Sequence, residues 1–151
     1  MAEGAAVICV GNRARSDDAV GPLIAEELSQ RHLDVPVHVS EGEPGELLEL
    51  WSQLSRAILV DAVVTGRSAP GTLHVFSVTA EPLPVRSHAS SHGIGIPETI
   101  ELARALHRLP DDIRLIGIEA GCLEPGTALT PGVAAAIPEA VARIVEEING
   151  A

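Results

Sequence analysis

The chain contains no lysine, and it has very few aromatic side chains. All ten basic residues are arginines, and Trp51 and Phe76 are the only Trp, Tyr or Phe residues among the 151. The absence of lysine excludes chemistry that depends on a lysine amine. The shortage of aromatic rings excludes a stacking platform for bases or sugars, and the core must be built from aliphatic side chains.

Positive charge is also scarce, since 21 acidic residues face 10 basic ones and the formal net charge is -11. Such a surface repels phosphate backbones, so we expect no nucleic-acid partner, although solubility alone also explains the charge. Cys9 and Cys122 are far apart and are expected to be free thiols that act as small apolar fillers. The acidic N-terminus and the short apolar run over 5–10 predict a cytoplasmic protein without membrane contact.

The length fits one domain with an ordinary core. Short β-branched runs alternate with stretches of helical period, which predicts an α/β fold with a mostly parallel sheet. The run over 57–64 is apolar except for Asp61 near its end, which is typical of a strand buried on both faces. The segment 72–78 alternates like an edge strand. Further strands are predicted over 6–10, 35–40 and 113–118, and helices after the 11–16 turn, over 46–54, from 95–97 and after Pro131.

Three distant fragments place polar groups where a predicted strand ends or a helix begins. They are the stretch from Gly11-Asn12 to Ser16-Asp17-Asp18, then Asp61, and then His92. Open α/β sheets collect their ligand-binding groups at these positions, so the fragments are expected to converge. Two carboxylates and an imidazole suit a divalent transition metal held in an incomplete shell.

Each of these residues also has a plainer interpretation. Asp17 and Asp18 would suit the positive end of a helix dipole, with Ser16 or Asp17 as the helix cap. Asp61 is different, because a carboxylate inside an apolar run costs several kcal/mol unless it is paired or bound. Taken alone, His92 would be a solvated loop residue, and it becomes a candidate ligand only together with the two carboxylates. His88, in the same loop, is an alternative candidate. The other histidines, His32, His38, His74 and His107, are predicted to be structural.

Several enzyme classes lack their motifs in this chain. There is no G-x-x-x-x-G-K-[ST] loop, no G-x-S-x-G elbow, no H-E-x-x-H pair and no complete G-x-G-x-x-G after the first strand. An acidic pair after strand one and an aspartate ending a central strand also occur in phospho-accepting receiver domains. Those domains need a lysine, which is missing here.

The fragments together resemble the hydrogenase maturation protease family, the endopeptidases that process nickel-iron hydrogenase large subunits. The family pattern G-x-G-N-x-L-x-x-D-[DE]-[GA]-x-G corresponds to residues 9–21. Further matches, in the family's order, are Asp61–Val64 with Ala69–Thr72, Ser91–Gly95, and Leu123–Pro125 with Leu129–Pro131. The resemblance implies a single domain over 1–151, a three-layer sandwich whose twisted, mostly parallel sheet is flanked by helices, with one antiparallel edge strand.

The resemblance also implies a function and a site. The protein would remove the C-terminal extension of a nickel-iron hydrogenase large-subunit precursor after nickel insertion, as a monomer. Catalytic and metal-contacting roles carry over to Asp18, Asp61 and His92. The nickel would be carried by the precursor and would not be a permanent cofactor of the protease, and it would either polarise the scissile carbonyl or activate water. Asp17 would hold the loop.

The chain departs from the family pattern at Cys9, Arg13, Ala14 and Arg15, which leaves the three ligands untouched. Arg13 and Arg15 either tune which precursor is accepted or are simply solvated. The loops 41–44 and 121–126 are expected to border the cleft. Two alternatives remain open: a nickel-sensing scaffold without peptidase activity, and a small metal-dependent hydrolase of another substrate, which would bind metal tightly by itself.

Overall fold

The computed structural model describes residues 4–79, 81–86 and 94–150. Five strands and four α-helices follow one another along the chain, and none of the helices in these ranges is long and apolar enough to cross a membrane. The strands are β1 (Ala5–Val10), β2 (Val37–Ser40), β3 (Arg56–Val63), β4 (Leu73–Ser77) and β5 (Asp112–Glu119). The helices are α1 (Val20–Leu28), α2 (Pro44–Trp51), α3 (Ile96–Ala105) and α4 (Pro131–Asn149), and a 3-10 turn (Ser16–Ala19) precedes α1.

The five strands form one sheet in the order β2-β1-β3-β5-β4. β2, β1, β3 and β5 are parallel, whereas β4 pairs with β5 in the antiparallel sense. The predicted mostly parallel sheet with an antiparallel edge strand is therefore confirmed. Because the parallel strands end at the same side of the sheet, the loops after β1, β2 and β3 meet there.

The sheet lies between two layers of helices. One face packs against α1 and α4 with a core rich in Val, Ile and Ala. The other face packs against α2 and α3 and buries Trp51. β3 runs through the centre, and seven of its eight residues are buried, as its apolar sequence predicts. Asp61 is the one ionisable side chain among those seven.

Two elements begin two residues away from their predicted starts, for local reasons. β2 begins at Val37 and not at 35, with the Pro36 carbonyl accepting the N–H of Val7 at 2.9 Å. α2 begins at Pro44 because the Glu43 carboxylate caps it, accepting the N–H groups of Gly45 at 3.0 Å and Glu46 at 2.7 Å. The sequence pattern placed this start two residues later, because glutamate is not among the common cap residues.

The two cysteines have different surroundings. Cys9 is fully buried in the core beside α1 and α4, and this burial raises the pKa of its thiol to about 12. Cys122 is exposed, so the prediction that it is an apolar filler is wrong. Both thiols are free.

Candidate functional site

The 3-10 turn is held against the end of β1 by two close approaches that only glycine permits. A side-chain carbon at Gly11 would overlap the backbone carbonyl of Asp18, and one at Gly21 would overlap the carbonyl of Val10. The N–H of Gly11 donates to the Ser40 carbonyl at 2.9 Å, which ties the end of β1 to the end of β2. These contacts place Asp18 at the carboxyl edge of the sheet.

Ser16 connects the turn to the loop between β5 and α4. Its backbone is left-handed, with φ at +52°, a conformation that costs about 1–2 kcal/mol for a non-glycine residue. Its N–H donates to the carbonyl of Gly126 at 2.8 Å, and its hydroxyl donates to the carbonyl of Glu124 at 2.7 Å. The segment around Leu123-Glu124-Pro125 therefore holds the turn in place through these two hydrogen bonds.

Asp17 is completely buried and binds the same loop. Its carboxylate accepts hydrogen bonds from the N–H groups of Gly121 at 2.7 Å and Cys122 at 2.9 Å, and from both the N–H and the hydroxyl of Thr130 at 2.7 Å. Burial raises the pKa of Asp17, but these four hydrogen bonds outweigh it, so the pKa lies below its usual value. Asp17 thus holds the loop.

The expected helix cap is not formed. The 3-10 turn is preceded by Arg15 and α1 by Ala19, and neither start has a side-chain cap hydrogen bond. The prediction that Ser16 or Asp17 caps the helix is therefore wrong. Both side chains bind the β5–α4 loop instead.

Asp18 and Asp61 line one cleft, although 43 positions separate them in the sequence. Its other lining residues are Val10 at the end of β1, Glu41 and Gly42 after β2, and residues 94–96 at the start of α3. One oxygen of Asp18, Oδ2, accepts the N–H of Asn12 at 2.9 Å. This bond fixes the direction of the Asp18 carboxylate.

Asp61 lies near the end of β3, on the sheet face that packs against α2 and α3. It is 4% exposed and also borders a second, mainly apolar pocket formed by Val63, Val85, Pro97 and Leu115, among others. A carboxylate in such surroundings is costly unless other groups stabilise its charge. The expected burial of Asp61 is therefore confirmed, while its functional role stays a prediction.

The third predicted ligand, His92, lies outside the described residues, and so does its competitor His88. Within residues 4–79, 81–86 and 94–150, no three His, Cys, Asp or Glu side chains are placed to hold a metal ion together. The metal-contacting and catalytic roles of Asp18, Asp61 and His92 stay predictions. What the structure adds is the common cleft of the first two.

Of the two loops expected at the cleft, one contributes to its lining. Glu41 and Gly42 belong to the lining residues, and Glu41 brings a third carboxylate. The loop 121–126 is not among them, because it packs against Ser16 and Asp17. Arg13, another candidate for precursor recognition, forms an exposed ion pair with Glu26 at 2.8 Å.

A buried polar network around Glu119, the last residue of β5, was not predicted from the sequence. Glu119, 2% exposed, accepts hydrogen bonds from the hydroxyl of Thr65 at 2.6 Å, its N–H at 3.0 Å and His74 Nε2 at 2.9 Å. Burial raises the pKa of Glu119, but these bonds and the nearby His74 lower it below its usual value. His74 also stacks on Phe76 at 5.6 Å, so its predicted structural role is confirmed.

Carboxylate oxygens at a cleft that opens at the edge of a sheet can bind a metal ion, orient a water molecule or accept a proton. Asp18 and Asp61 approach the cleft from different elements, one from a turn and one from a strand. Their convergence gives the arrangement the parts of a hydrolytic site.

Comparison with known proteins agrees with this chemistry. The model of the HycI hydrogenase maturation protease family matches residues 22–147. The hydrogenase 2 maturation protease of Escherichia coli is 31% identical over 147 residues, covering 95% of this chain and 89% of that protein. The coenzyme F420 hydrogenase subunit delta of Methanothermobacter thermautotrophicus is 30% identical over 157 residues, covering 95% and 93% respectively.

A solved structure extends the likeness to the fold. The hydrogenase maturating endopeptidase HybD from E. coli superposes with a TM-score of 0.80 at 29% identity, covering 97% of this chain and 93% of that one. Its chain and the two relatives span the turn with Asp18 as well as the strand with Asp61, whereas the family model begins just after the turn. On this evidence the chain is a peptidase that belongs to the hydrogenase maturation protease family.

Proposed function

We propose that this peptidase removes the C-terminal extension of a nickel-iron hydrogenase large-subunit precursor, and that it recognises nickel already inserted in that precursor. The observation that carries the proposal is the shared cleft of Asp18 and Asp61. Membership of the family supplies the reaction class, hydrolysis of a peptide bond. His92 is the proposed third contact to the metal.

The proposed donors suit a divalent transition metal, and the family resemblance supplies nickel as its identity. Two carboxylates and one imidazole leave coordination positions open, so the precursor's own ligands are needed to complete the shell. A site of this kind binds precursor-borne nickel better than free nickel, because the second protein brings both the metal and its remaining ligands. The protease then distinguishes a loaded precursor from an empty one.

Hydrolysis requires an attacking water, a polarised carbonyl and a proton for the leaving amine. Asp18 is oriented by the Asn12 N–H and lines the cleft in which the metal ion and the attacking water are proposed to meet. Asp61 is buried, so its charge acts in surroundings that screen it weakly. One carboxylate takes the proton from water while nickel polarises the carbonyl, and the same proton passes to the nitrogen of the cleaved bond.

The proposal is tested by the intact mass of the precursor. A large-subunit precursor from the same genome is prepared with and without nickel, and each form is incubated with the protease. We expect one discrete C-terminal loss in the loaded form and none in the empty form. Cleavage of both forms at the same rate would leave the peptidase intact but refute nickel recognition.

A second candidate function has one observation in its favour. A relative that is 30% identical is called a hydrogenase subunit, not a protease. A scaffold or subunit role would leave the precursor uncut and give a complex that persists through size-exclusion chromatography. Transient association together with a mass loss would exclude this role.

A further inference from the structure

One edge of the sheet is free and leads directly into the cleft. β2 is the outermost strand and pairs with β1 alone. No strand in residues 4–79, 81–86 or 94–150 covers its other side. Val39, near the end of β2, is 53% exposed. It is more exposed than Leu102 and Leu106, the other exposed large hydrophobic residues in these ranges.

The backbone of β2 directs hydrogen-bonding groups outward at this edge. The carbonyls of Pro36 and Ser40 accept bonds from β1, from Val7 and Gly11, each at 2.9 Å. Since the N–H and C=O groups of successive residues point to opposite sides of a strand, Val37 and Val39 turn theirs away from β1. Two N–H and two C=O groups therefore face outward.

The free edge is continuous with the candidate site. Ser40 ends β2, and the next two residues, Glu41 and Gly42, line the cleft with Asp18 and Asp61. A groove beside the edge is lined by Val39, Ser40, Glu41, Glu43 and Glu46. Glu43 caps α2 and Glu46 accepts a hydrogen bond from the Ser40 hydroxyl. The negative charge of these two carboxylates and of Glu41, in a chain of net charge -11, favours a basic occupant.

We propose that an extended segment of the hydrogenase precursor, carrying at least one basic side chain, binds as an additional strand on the free edge of β2. This inference rests on the proposed function and names how the substrate is held. Strand addition supplies backbone hydrogen bonds, while a neighbouring pocket selects alternate side chains. A peptide bond held in an extended segment is also accessible to an attacking water.

The chain offers a matched pair of variants. Val39→Pro removes the outward N–H and leaves the β1 bonds of Pro36 and Ser40 in place, and proline is tolerated on edge strands. Val39→Ala removes the exposed side chain but keeps the N–H. With nickel-loaded precursor, Val39→Pro should raise KM about tenfold, the equivalent of one lost hydrogen bond plus obstruction. Its kcat should be unchanged, and Val39→Ala, which keeps the N–H, should raise KM clearly less than Val39→Pro does.

Charge is tested separately. Glu41→Gln should raise KM several-fold at low ionic strength, and this difference should shrink as salt is added, because salt screens exposed charges. A Glu41→Gln effect that is independent of salt would refute the basic occupant. Glu49→Gln, an exposed change on α2, is the control.

Hydrogen exchange of the wild-type protein tests the edge without a variant that could misfold. The Val37 and Val39 amides should exchange more slowly when the nickel-loaded precursor is bound. An unchanged exchange rate in the complex, or an unchanged KM for a folded Val39→Pro, overturns strand addition but leaves the protease function standing. If these two amides exchange more slowly as the protease concentration rises in the absence of precursor, the edge binds a second copy of this chain instead. Absence of both binding and cleavage by the wild type overturns the proposed function and this inference together.

Discussion

Asp17 and Asp18 are adjacent carboxylates with different surroundings. Asp17 is fully buried and accepts four hydrogen bonds from the β5–α4 loop, whereas Asp18 lines the cleft. Asp17, held by these four bonds, does not belong to the residues that line the cleft. Of these two adjacent residues, Asp17 therefore stabilises the loop, and Asp18 is the one proposed to take part in the chemistry.

Asp17→Asn should destabilise the fold strongly. The amide NH2 that replaces one oxygen would face N–H or O–H donors, and an unsatisfied buried group costs about 1–3 kcal/mol. Urea unfolding at pH 7 measures the loss in free energy of unfolding. Asp34→Asn, an exposed change, should stay within about 0.5 kcal/mol of wild type. Equal stabilities of the two variants would contradict the anchoring role.

Glu119 and Asp17 should make stability depend on pH in acid. Both pKa values lie below their usual values in the folded protein, so the unfolded state binds more protons as the pH falls. Their stabilisation is present at neutral pH and declines from about pH 5, where unfolded carboxylates begin to protonate, down through the folded pKa values. Glu119→Gln should flatten this decline in unfolding experiments from pH 7 to pH 3. If stability changes with pH in the Glu119→Gln variant as steeply as in the wild type, Glu119 does not contribute to this decline.

The roles of some residues could be predicted from the sequence, and those of others could not. Asp61 could be singled out because its charge interrupts an apolar run. Asp17 could not be separated from Asp18, because its hydrogen-bond partners lie 104 to 113 positions away. The Glu119 network likewise joins residues from β4, β5 and the loop after β3, whose proximity depends on the sheet order.

At the scale of elements, three helices have a glycine in the second position, and those of α1 and α2 lie in different surroundings. Gly21 in α1 lies against the Val10 backbone, while the nearest atoms to Gly45 in α2 belong to the Glu43 side chain, which can move. Gly21→Ala should therefore cost about 2 kcal/mol or more through overpacking. Gly45→Ala should change stability by less than about 1 kcal/mol. Thermal unfolding of both variants measures the difference, and similar costs would refute the close packing of α1 on β1.

Strand type was predictable because it leaves a pattern in the sequence. β3 is apolar except for Arg56 and Asp61, since both of its faces are covered, whereas β4, at an edge, is only partly buried. The start of α2 was not predictable in this way, since it depends on a glutamate cap. The insertion of β5 between β3 and β4 has no local signal either, because strand order follows from long-range packing.

At the scale of the whole molecule, an incomplete metal site predicts weak binding of free nickel. The proposed ligands are two carboxylates and one histidine, so the isolated protein should bind Ni²⁺ with a Kd weaker than about micromolar. Equilibrium dialysis of the isolated chain measures this Kd. Micromolar or tighter binding without precursor would instead favour a metal-dependent hydrolase with its own cofactor.

Asp61 is the residue of the cleft on which the proposed peptidase site depends most directly. The decisive measurement is single-turnover cleavage of nickel-loaded precursor by Asp61→Asn, followed by intact mass, with Asp34→Asn as control and melting temperatures for both. Asparagine preserves the shape of Asp61 and removes its charge, so we expect a folded protein whose cleavage is at least about 100-fold slower. A folded Asp61→Asn protein that cleaves at the wild-type rate would contradict the assignment of the site.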